Sequence, residues 1–298
     1  MKSSLYLAKE PGRGVRDDLS RISGEVTIVD CLNSYGDWYE KRGSNCISKD
    51  ECFELDGTMR FDVIIGNPPY QGKSTSDKAY DPLWTKFWSK AFRLVKPGGK
   101  ISLITPLTWC SPTSDLDKKH AVNGKTRLWD IFSEYTTVAN VTTIKDHFKG
   151  VGSTFSLVTV DTSGSDGLSF TDGYNASLGF YPLSGKEEVE KNISIDNNIA
   201  SRYTISGRIT PGWRVSLLKT RKINETNVEV CESMEKPKTG ANDTLYTHIY
   251  CNTKKEAEMV RSRLLECSDI LYKHCRYSGF IDLKVMGMIS LPSNIFEE

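Results

Sequence analysis

The chain has 298 residues, of which 38% are hydrophobic and 26% are charged, and its formal net charge is +1. This composition is typical of a folded globular protein and excludes a disordered or fibrous chain. The near-neutral charge neither requires nor excludes a polyanionic partner, because a local basic surface can bind phosphate on a molecule that is neutral overall.

The chain shows no sign of a membrane or metal protein. Its first residues lack the apolar length of a signal peptide, and no stretch approaches the roughly 20 apolar residues of a membrane span. We therefore expect a cytosolic protein. The 8 cysteines and 4 histidines are scattered without the spacing of metal ligands, so we predict no metal site.

Up to about residue 160, short apolar runs alternate with polar or amphipathic stretches. This alternation predicts an α/β fold in which a parallel sheet is joined by crossover helices. The predicted strands are Leu5 to Ala8, Glu25 to Val29, Asn45 to Ser48, Phe61 to Ile65, Lys100 to Thr105, Val138 to Ile144 and Thr154 to Val160.

One helix of this region is clearly marked. From Leu83 to Val95, apolar residues recur at intervals of three and four, which predicts a helix with one apolar face against the sheet. The segment Lys96-Pro-Gly-Gly99 follows, and we predict that it ends the helix as a turn before the next strand.

The character of the sequence changes after Asp161, where a polar Thr-Ser-Gly-Ser-Asp-Gly segment begins. We predict a domain boundary there, with a catalytic domain over residues 1–162 and a smaller domain over 163–298. Within the second region, Asn252 to Cys267 is predicted to form a capped amphipathic helix.

The most informative segment is Phe61-Asp-Val-Ile-Ile-Gly-Asn-Pro-Pro-Tyr70, in which a buried strand leads directly into a polar loop. Open α/β sheets place their active sites at the carboxyl ends of such strands. The adjacent Pro68 and Pro69 fix two φ angles and remove two N–H donors, so the loop is shaped to present acceptors. An ordinary surface turn is the alternative interpretation of the same four residues.

Acceptors in this position suit the methylation of an exocyclic amino group. The nitrogen of such a group is a poor nucleophile because its lone pair is delocalised into the ring. The Asn67 side-chain carbonyl and the Pro68 backbone carbonyl could accept its two N–H bonds and draw it toward tetrahedral geometry. Tyr70 could stack on a base that has swung out of the duplex.

The segment resembles motif IV of the amino-group DNA methyltransferases, in their N6-adenine branch, as found in restriction-modification systems and bacteriophages. The resemblance implies a Rossmann-like methyltransferase sheet with a C-terminal target-recognition region, S-adenosylmethionine as methyl donor, and DNA as partner. It also implies catalytic roles for a short loop, formed by Asn67, Pro68, Pro69 and Tyr70.

The same resemblance implies a set of cofactor contacts. Asp50 corresponds to the acidic residue that ends a strand and contacts the cofactor adenine, and Asp30 to the one that binds the ribose hydroxyls, although a helix N-cap is an alternative role for Asp30. A shortened glycine loop precedes them. The implied cofactor residues are Glu10, Pro11, Gly12, Gly14, Asp30, Asp50 and Asn67.

Further along, Asp146 to Phe155 resembles the motif that contributes an aromatic residue to the extruded base, and Phe148 is the candidate; a core phenylalanine is the alternative. From Asn197 to Asn224 the chain carries basic and aromatic residues and no acidic one. This mixture favours DNA contact, although a solvated basic face is the commoner meaning of such a run. The predicted DNA-binding residues are Arg202, Arg208, Trp213, Arg214, Lys219, Arg221 and Lys222.

Two alternatives stay open at this point. One is a methyltransferase that acts on RNA or on protein glutamine, and the other is a DNA-binding protein whose shortened glycine loop no longer supports activity. Neither the recognition sequence nor the oligomeric state follows from the sequence.

Overall fold

A computed structural model describes residues 2–8, 21, 24–32, 34–41, 45–72, 82–111, 116–141, 144, 147–148, 154–218, 222–232, 234, 245–277 and 280–292. The chain divides into two compact units. Unit 1 comprises residues 1–109 and 114–176, and unit 2 comprises residues 110–113 and 177–298.

Unit 1 is built on an eight-stranded sheet whose strand order is β3-β2-β1-β4-β5-β7-β6-β8. The strands are β1 (Ser3–Ala8), β2 (Glu25–Asp30), β3 (Asn45–Ser48), β4 (Phe61–Gly66), β5 (Val95–Pro106), β6 (Thr136–Asn140), β7 (Phe155–Asp161) and β8 (Leu168–Phe170). Its helices are α1 (Gly36–Glu40), α2 (Lys49–Glu54), α3 (Leu83–Leu94) and α4 (Leu128–Phe132). Short 3-10 helices lie at Leu107–Cys110, Lys118–His120 and Ala176–Leu178.

The strands β1 to β5 run parallel to one another, as the sequence predicts. The order reverses at β1, which lies between β2 and β4. The fold class is therefore confirmed as a Rossmann-like α/β sheet, and this reversal is the switch point outside which such sheets bind ligands. Strand β7 departs from the predicted parallel sheet, because it runs antiparallel to both β5 and β6.

The predicted turn Lys96 to Gly99 is not a turn between helix and strand but part of β5 itself. The register with β4 moves from Phe61 opposite Val95 to Val63 opposite Lys100, so these four residues form a bulge. Gly98 has a φ of 79°, which permits the bulge without strain. Lys96 Nζ lies 2.9 Å from Asp62, whose carboxylate also accepts the Ser3 N–H at 2.7 Å.

The core of unit 1 lies where helices cover the central strands. Leu5, Ile64 and Ile101 from β1, β4 and β5 are fully or almost fully buried. Helix α3 buries the apolar face that its spacing predicts, and its Trp88 meets Phe132 edge-on with ring centroids 4.7 Å apart. Burial of this apolar area is what holds the sheet and its helices together.

Unit 2 contains a four-stranded antiparallel sheet in the order β11-β10-β12-β9 and a two-stranded sheet. Its strands are β9 (Thr204–Ser206), β10 (Arg214–Leu218), β11 (Val228–Cys231), β12 (Tyr246–Tyr250), β13 (Arg276–Tyr277) and β14 (Phe280–Ile281). Its helices are α5 (Lys186–Glu190), α6 (Ile199–Arg202), α7 (Lys254–Glu266), α8 (Ser268–His274) and α9 (Leu283–Gly287).

Helix α7 is the capped amphipathic helix that the sequence predicts. The Thr253 hydroxyl accepts the N–H of Glu256, and the Glu256 carboxylate accepts the N–H of Thr253, which forms a capping box. The residues Ala257, Val260 and Leu264 share one face and enter the core of unit 2. None of the helices in the described ranges is both long and apolar enough to span a membrane.

The two units meet in the chain between residues 176 and 177, later than the predicted boundary at residues 162 and 163. Strand β8 accounts for the difference, because it pairs in parallel with β6 and so extends the large sheet past the polar segment. Residues 110–113 also belong to unit 2, which the sequence does not predict.

Candidate active site

The candidate site of unit 1 lies at the carboxyl end of β4, beside the point where the strand order reverses. Strand β4 pairs with β1 on one side and β5 on the other, with Gly66 opposite Leu7 and Leu103. The backbone N–H of Asn67 donates to the Leu7 carbonyl at 3.4 Å. The polar loop therefore begins on the most central pair of strands.

Gly66 is required at this place for a steric reason. Its φ is 149°, which residues other than glycine rarely adopt, and an added Cβ would lie 2.4 Å from the Leu7 carbonyl oxygen. The absence of a side chain lets β4 approach β1 closely. Asn67 then leaves the sheet next to the backbone of β1.

The loop Asn67 to Tyr70 combines buried prolines with half-buried polar side chains. The Tyr70 hydroxyl donates to the Asn67 side-chain carbonyl at 2.5 Å, so the two residues hold one another. A carbonyl oxygen has two lone pairs, which leaves one on Asn67 for a further donor. No described residue donates to the Pro68 carbonyl.

The aromatic residues of the site form a contiguous group. The Tyr70 ring stacks on Phe155 with centroids 4.7 Å apart, and Phe155 in turn contacts Phe148 at 4.4 Å. Tyr70 and Phe148 therefore both contact Phe155, and their stacking on a base stays a prediction. Phe155 is buried at the start of β7 and has not been singled out from the sequence, because nothing local indicates that β7 lies beside this loop.

The protonation of Tyr70 follows from its surroundings. Burial raises the pKa of its hydroxyl to about 12, and the hydrogen bond with Asn67 opposes that shift only in part. Tyr70 is therefore a neutral hydrogen-bond donor at physiological pH.

A cavity of about 750 Å³ opens next to the loop. The residues Leu32, Asp50, Phe53 and Pro69 line it, which places the ends of β2, β3 and β4 around one space. Volumes of this order are usual for cofactor and small-molecule sites. Its remaining lining residues are Cys31, Lys49, Gln71, Gly72, Leu83, Lys86, Ser89, Lys90, Arg93, Lys119 and His120.

Asp50 lines this cavity but does not end a strand, contrary to the sequence-based expectation. Strand β3 ends at Ser48, which caps α2 by accepting the Glu51 N–H at 3.2 Å, and Asp50 lies in the first turn of that helix. Its side chain is 68% exposed and lies 3.8 Å from Lys49 Nζ. The carboxylate is therefore accessible from the cavity, on a helix and not on a strand.

Asp30 ends β2 as predicted and is 2% exposed. Its carboxylate accepts the N–H of Leu32 at 3.2 Å and also that of Tyr35, which precedes α1. Asp30 thus shapes the turn that carries Leu32 to the cavity. Tyr35, and not Asp30, occupies the N-cap position of α1, and the contact of Asp30 with a ribose stays a prediction.

The predicted glycine loop, with Glu10, Pro11, Gly12 and Gly14, lies outside the residues that the structure describes. Of the predicted DNA-binding residues, Lys219 and Arg221 lie outside them as well. The roles of these residues stay predictions.

The prediction for Arg214 is contradicted by its position in β10. Its side chain is 0% exposed, and its Nε donates to the Ser216 hydroxyl at 3.2 Å. β10 is a central strand whose residues are all buried, so this guanidinium cannot reach a DNA phosphate. A count of basic residues along the chain does not distinguish a buried arginine from an exposed one.

The other predicted DNA-binding residues lie at the surface of unit 2. Arg202 and Arg208 are exposed, Trp213 is half-buried with Lys254 Nζ 5.9 Å from its ring centroid, and Lys222 forms an ion pair with Asp269. The loop that carries Arg208 is anchored, since the Tyr250 hydroxyl donates to the Arg208 carbonyl and accepts the Thr210 N–H, both at 2.7 Å.

Within the described ranges, no group of three or more His, Cys, Asp or Glu side chains is placed so that it could hold a metal ion. The site instead offers two carbonyl acceptors, an aromatic group and an adjoining cavity. Such a site can hold an amino group and a flat ring in a fixed orientation.

Residues 2–134 match the Eco57I restriction-modification methylase family. The match covers less than half of the chain, but it includes β1 to α4 and with them Asn67 to Tyr70 and the whole cavity lining. No curated protein sequence matches the chain. The family match supports a methyltransferase of the restriction-modification type.

Solved structures resemble part of the chain at low identity. A predicted O-methyltransferase from Agrobacterium tumefaciens is 15% identical with a TM-score of 0.37, covering 57% of this chain and 78% of that one. A type I restriction-modification system is 10% identical with a TM-score of 0.37, covering 54% and 38%. A 16S ribosomal RNA methyltransferase from T. thermophilus, in complex with AdoMet and guanosine, is 12% identical with a TM-score of 0.33, covering 54% and 35%.

These likenesses identify no substrate for this chain. The predicted use of S-adenosylmethionine agrees with the match of residues 2–134 to a methylase family.

Proposed function

We propose that the protein transfers a methyl group from S-adenosylmethionine to the exocyclic N6 of an adenine that is swung out of duplex DNA. One observation carries the proposal: Asn67 and Tyr70 are hydrogen-bonded to one another at the carboxyl end of β4, with the Tyr70 ring fixed on Phe155. The match of residues 2–134 to a restriction-modification methylase family supports DNA as the substrate.

The cavity beside the loop fits the proposed cofactor. Its volume of about 750 Å³ lies within the usual range for such ligands, and Phe53, Leu32 and Pro69 offer apolar surfaces for a flat adenine ring. The accessible carboxylate of Asp50 supplies an acceptor for an exocyclic amino group. When bound, S-adenosylmethionine supplies an electrophilic methyl group on a sulfonium.

The residues of the loop act by orientation. The Asn67 carbonyl has a lone pair left beside the hydrogen bond from Tyr70, and the Pro68 carbonyl supplies a second acceptor. Two acceptors on one amino group hold its N–H bonds and leave its lone pair directed away from the ring plane. Because the amino group becomes acidic as it is methylated, no strong base is needed, which agrees with a Tyr70 that stays neutral.

The aromatic group gives the substrate base its place. Tyr70 presents a ring that Phe155 holds from behind and that Asn67 holds at its hydroxyl. A ring fixed at both points loses little conformational entropy when a base stacks on it. We assign the stacking role to Tyr70, with Phe148 beside it.

The test supplies the full chain with labelled S-adenosylmethionine and duplex DNA, structured RNA and a glutamine-containing protein in parallel. We expect label in DNA, on N6 of adenine, and none in a duplex whose target adenines are replaced by guanine. Label in RNA or protein alone would refute the assignment of DNA. Calorimetric titration with S-adenosylmethionine completes the test, because DNA binding without any cofactor binding would instead favour an inactive DNA-binding protein.

A further inference from the structure

Part of the lining of the cavity that adjoins the loop Asn67 to Tyr70 has no role in the proposed function. The lining contains five positively charged residues and a single acidic one, Asp50. Two of the five, Lys49 and Lys90, lie at or beside α2. Lys90 Nζ donates to the carbonyls of Phe53 and Leu55 at the end of α2, and Lys49 lies near Asp50.

The other basic residues, Lys86, Arg93, Lys119 and His120, form what we call the cationic end of the cavity. Lys86 and Arg93 are seven residues apart on α3 and so lie on one face of that helix. An Arg93 Nη donates to the Lys119 carbonyl at 3.3 Å, which joins α3 to the 3-10 helix Lys118–His120. Two separate elements therefore place their positive charges around one space.

The charges of the cationic end act on one another. Burial lowers the pKa of His120, and the neighbouring charges of Lys119, Lys86 and Arg93 lower it further, against the opposite effect of Asp117. Asp117 lies 3.3 Å from Lys119 Nζ and is not part of the cavity lining. His120 Nε2 is buried and has no hydrogen-bond partner among the described residues.

Like charges gathered around a cavity repel one another, and an anion that enters removes that repulsion. A planar guanidinium beside two ammonium groups suits the several oxygens of a phosphate. Of the common anions, a phosphate carries both the charge and the number of acceptors to bind Lys86, Arg93 and Lys119 together.

We propose that the cationic end binds a phosphate group, at a site separate from the one that holds the methyl donor. The phosphate comes either from the backbone of bound DNA or from a small phosphorylated ligand, and the chemistry of recognition is the same for both. The proposal does not depend on methyl transfer, so each can fail without the other.

The experiment compares three forms of the full chain. The first is unchanged, the second carries Lys86→Gln and Lys119→Gln, and the third carries Lys41→Gln and Lys118→Gln. The control pair removes the same charge from two exposed lysines outside the cavity lining, and Lys118 is the direct neighbour of Lys119. Thermal unfolding checks that all three are folded. A fourth form, with Lys86→Arg and Lys119→Arg, keeps the positive charge and is expected to bind like the unchanged chain.

Calorimetric titration with inorganic pyrophosphate at low salt tests the small ligand. We expect one site on the unchanged chain and on the control, and an affinity roughly tenfold lower in the Lys86→Gln, Lys119→Gln variant. Titration with a short DNA duplex over a range of salt concentrations tests whether the DNA backbone supplies the phosphate. If DNA supplies the phosphate, the slope of log affinity against log salt falls by about two in that variant and not in the control.

Either result supports the proposal and identifies the source of the phosphate. Equal affinity of the three forms for pyrophosphate, together with equal salt slopes for DNA, overturns it. Binding of S-adenosylmethionine, measured on the same samples, reports on the methyl-donor site separately.

Discussion

Replacing Gly66 by alanine tests the geometry that positions the catalytic loop. The added Cβ would lie 2.4 Å from the Leu7 carbonyl oxygen, 2.7 Å from its Cβ and 2.9 Å from its backbone nitrogen. All of these atoms belong to the central strand β1, two of them to its backbone, so the strands must separate to accommodate the methyl group. The φ of 149° adds strain for any residue with a side chain.

The magnitude follows from two terms. Overpacking against well-ordered neighbours costs about 1–3 kcal/mol. A residue held in a sparsely populated backbone region costs about 1–3 kcal/mol more. We therefore expect Gly66→Ala to lower the free energy of unfolding of unit 1 by roughly 3 kcal/mol, a midpoint decrease of about 6–12 °C at about 2–4 °C per kcal/mol.

Two other glycines separate these terms. Gly124 has a φ of 76° but nothing within 4 Å of its added Cβ, so Gly124→Ala isolates the backbone strain. Gly36 has open space and no positive φ, and at the start of α1 its replacement by alanine is neutral or slightly stabilising.

Thermal unfolding, monitored by tryptophan fluorescence, suits this comparison. Five of the 6 tryptophans, at positions 38, 84, 88, 109 and 129, belong to unit 1. If Gly66→Ala were no more destabilising than Gly124→Ala, the close approach of β4 to β1 would not exist as described. The same variant is also expected to lose methyl transfer at temperatures where it is still folded, because Asn67 follows Gly66 directly.

Three further predictions concern side chains. Asn67→Ala should lower turnover by about 10²- to 10³-fold, measured with labelled S-adenosylmethionine, and leave cofactor affinity nearly unchanged, because the lost acceptor acts on the reacting nitrogen. Tyr70→Phe keeps the ring on Phe155 but loses the 2.5 Å hydrogen bond to Asn67, so turnover should fall about fivefold to tenfold, a loss of about 1 kcal/mol. Hydrogen bonds from Lys96 and Ser3 lower the pKa of Asp62 from 3.8 to about 2. As the pH falls, the Asp62 carboxylate of the unfolded chain is protonated before that of the folded chain. Its contribution to stability is therefore present above pH 4 and is lost as the pH falls toward 2. Asp62→Asn should remove that part of the acid sensitivity of thermal unfolding.

Each of these has a result that contradicts it. Unchanged turnover in Asn67→Ala removes the residue from catalysis, and unchanged turnover in Tyr70→Phe shows that the hydroxyl does not orient Asn67. For Asp62→Asn and for the unchanged chain, the decrease in unfolding midpoint between neutral pH and pH 3 is compared. An equal decrease in midpoint for the variant and the unchanged chain would show that Asp62 does not respond as its hydrogen bonds imply.

Much of the fold could be predicted from the sequence because its signals are local. The strands β2, β3 and β4 and helix α3 lie within one or two residues of their predicted bounds, since the spacing of apolar residues reports directly on burial. The capping box of α7 is encoded within four residues, Thr253 to Glu256. The placement of the loop Asn67 to Tyr70 at a strand end is equally local, because β4 runs into Asn67 without interruption.

Other features depend on contacts between distant parts of the chain. The antiparallel direction of β7 and the contact of Phe155 with Tyr70 arise only when residue 155 folds back beside residue 70. The burial of Arg214 is decided by the strands on either side of β10, and the cationic end of the cavity by the meeting of α3 with the 3-10 helix Lys118–His120.

The division between the two kinds of feature is physical. The sequence by itself determined which segments bury apolar residues and where a rigid acceptor loop leaves a strand, because both depend on neighbours along the chain. The strand order, the partner of each aromatic ring and the exposure of each charge were decided by the tertiary structure alone, because they depend on which surfaces come into contact when the chain closes on itself.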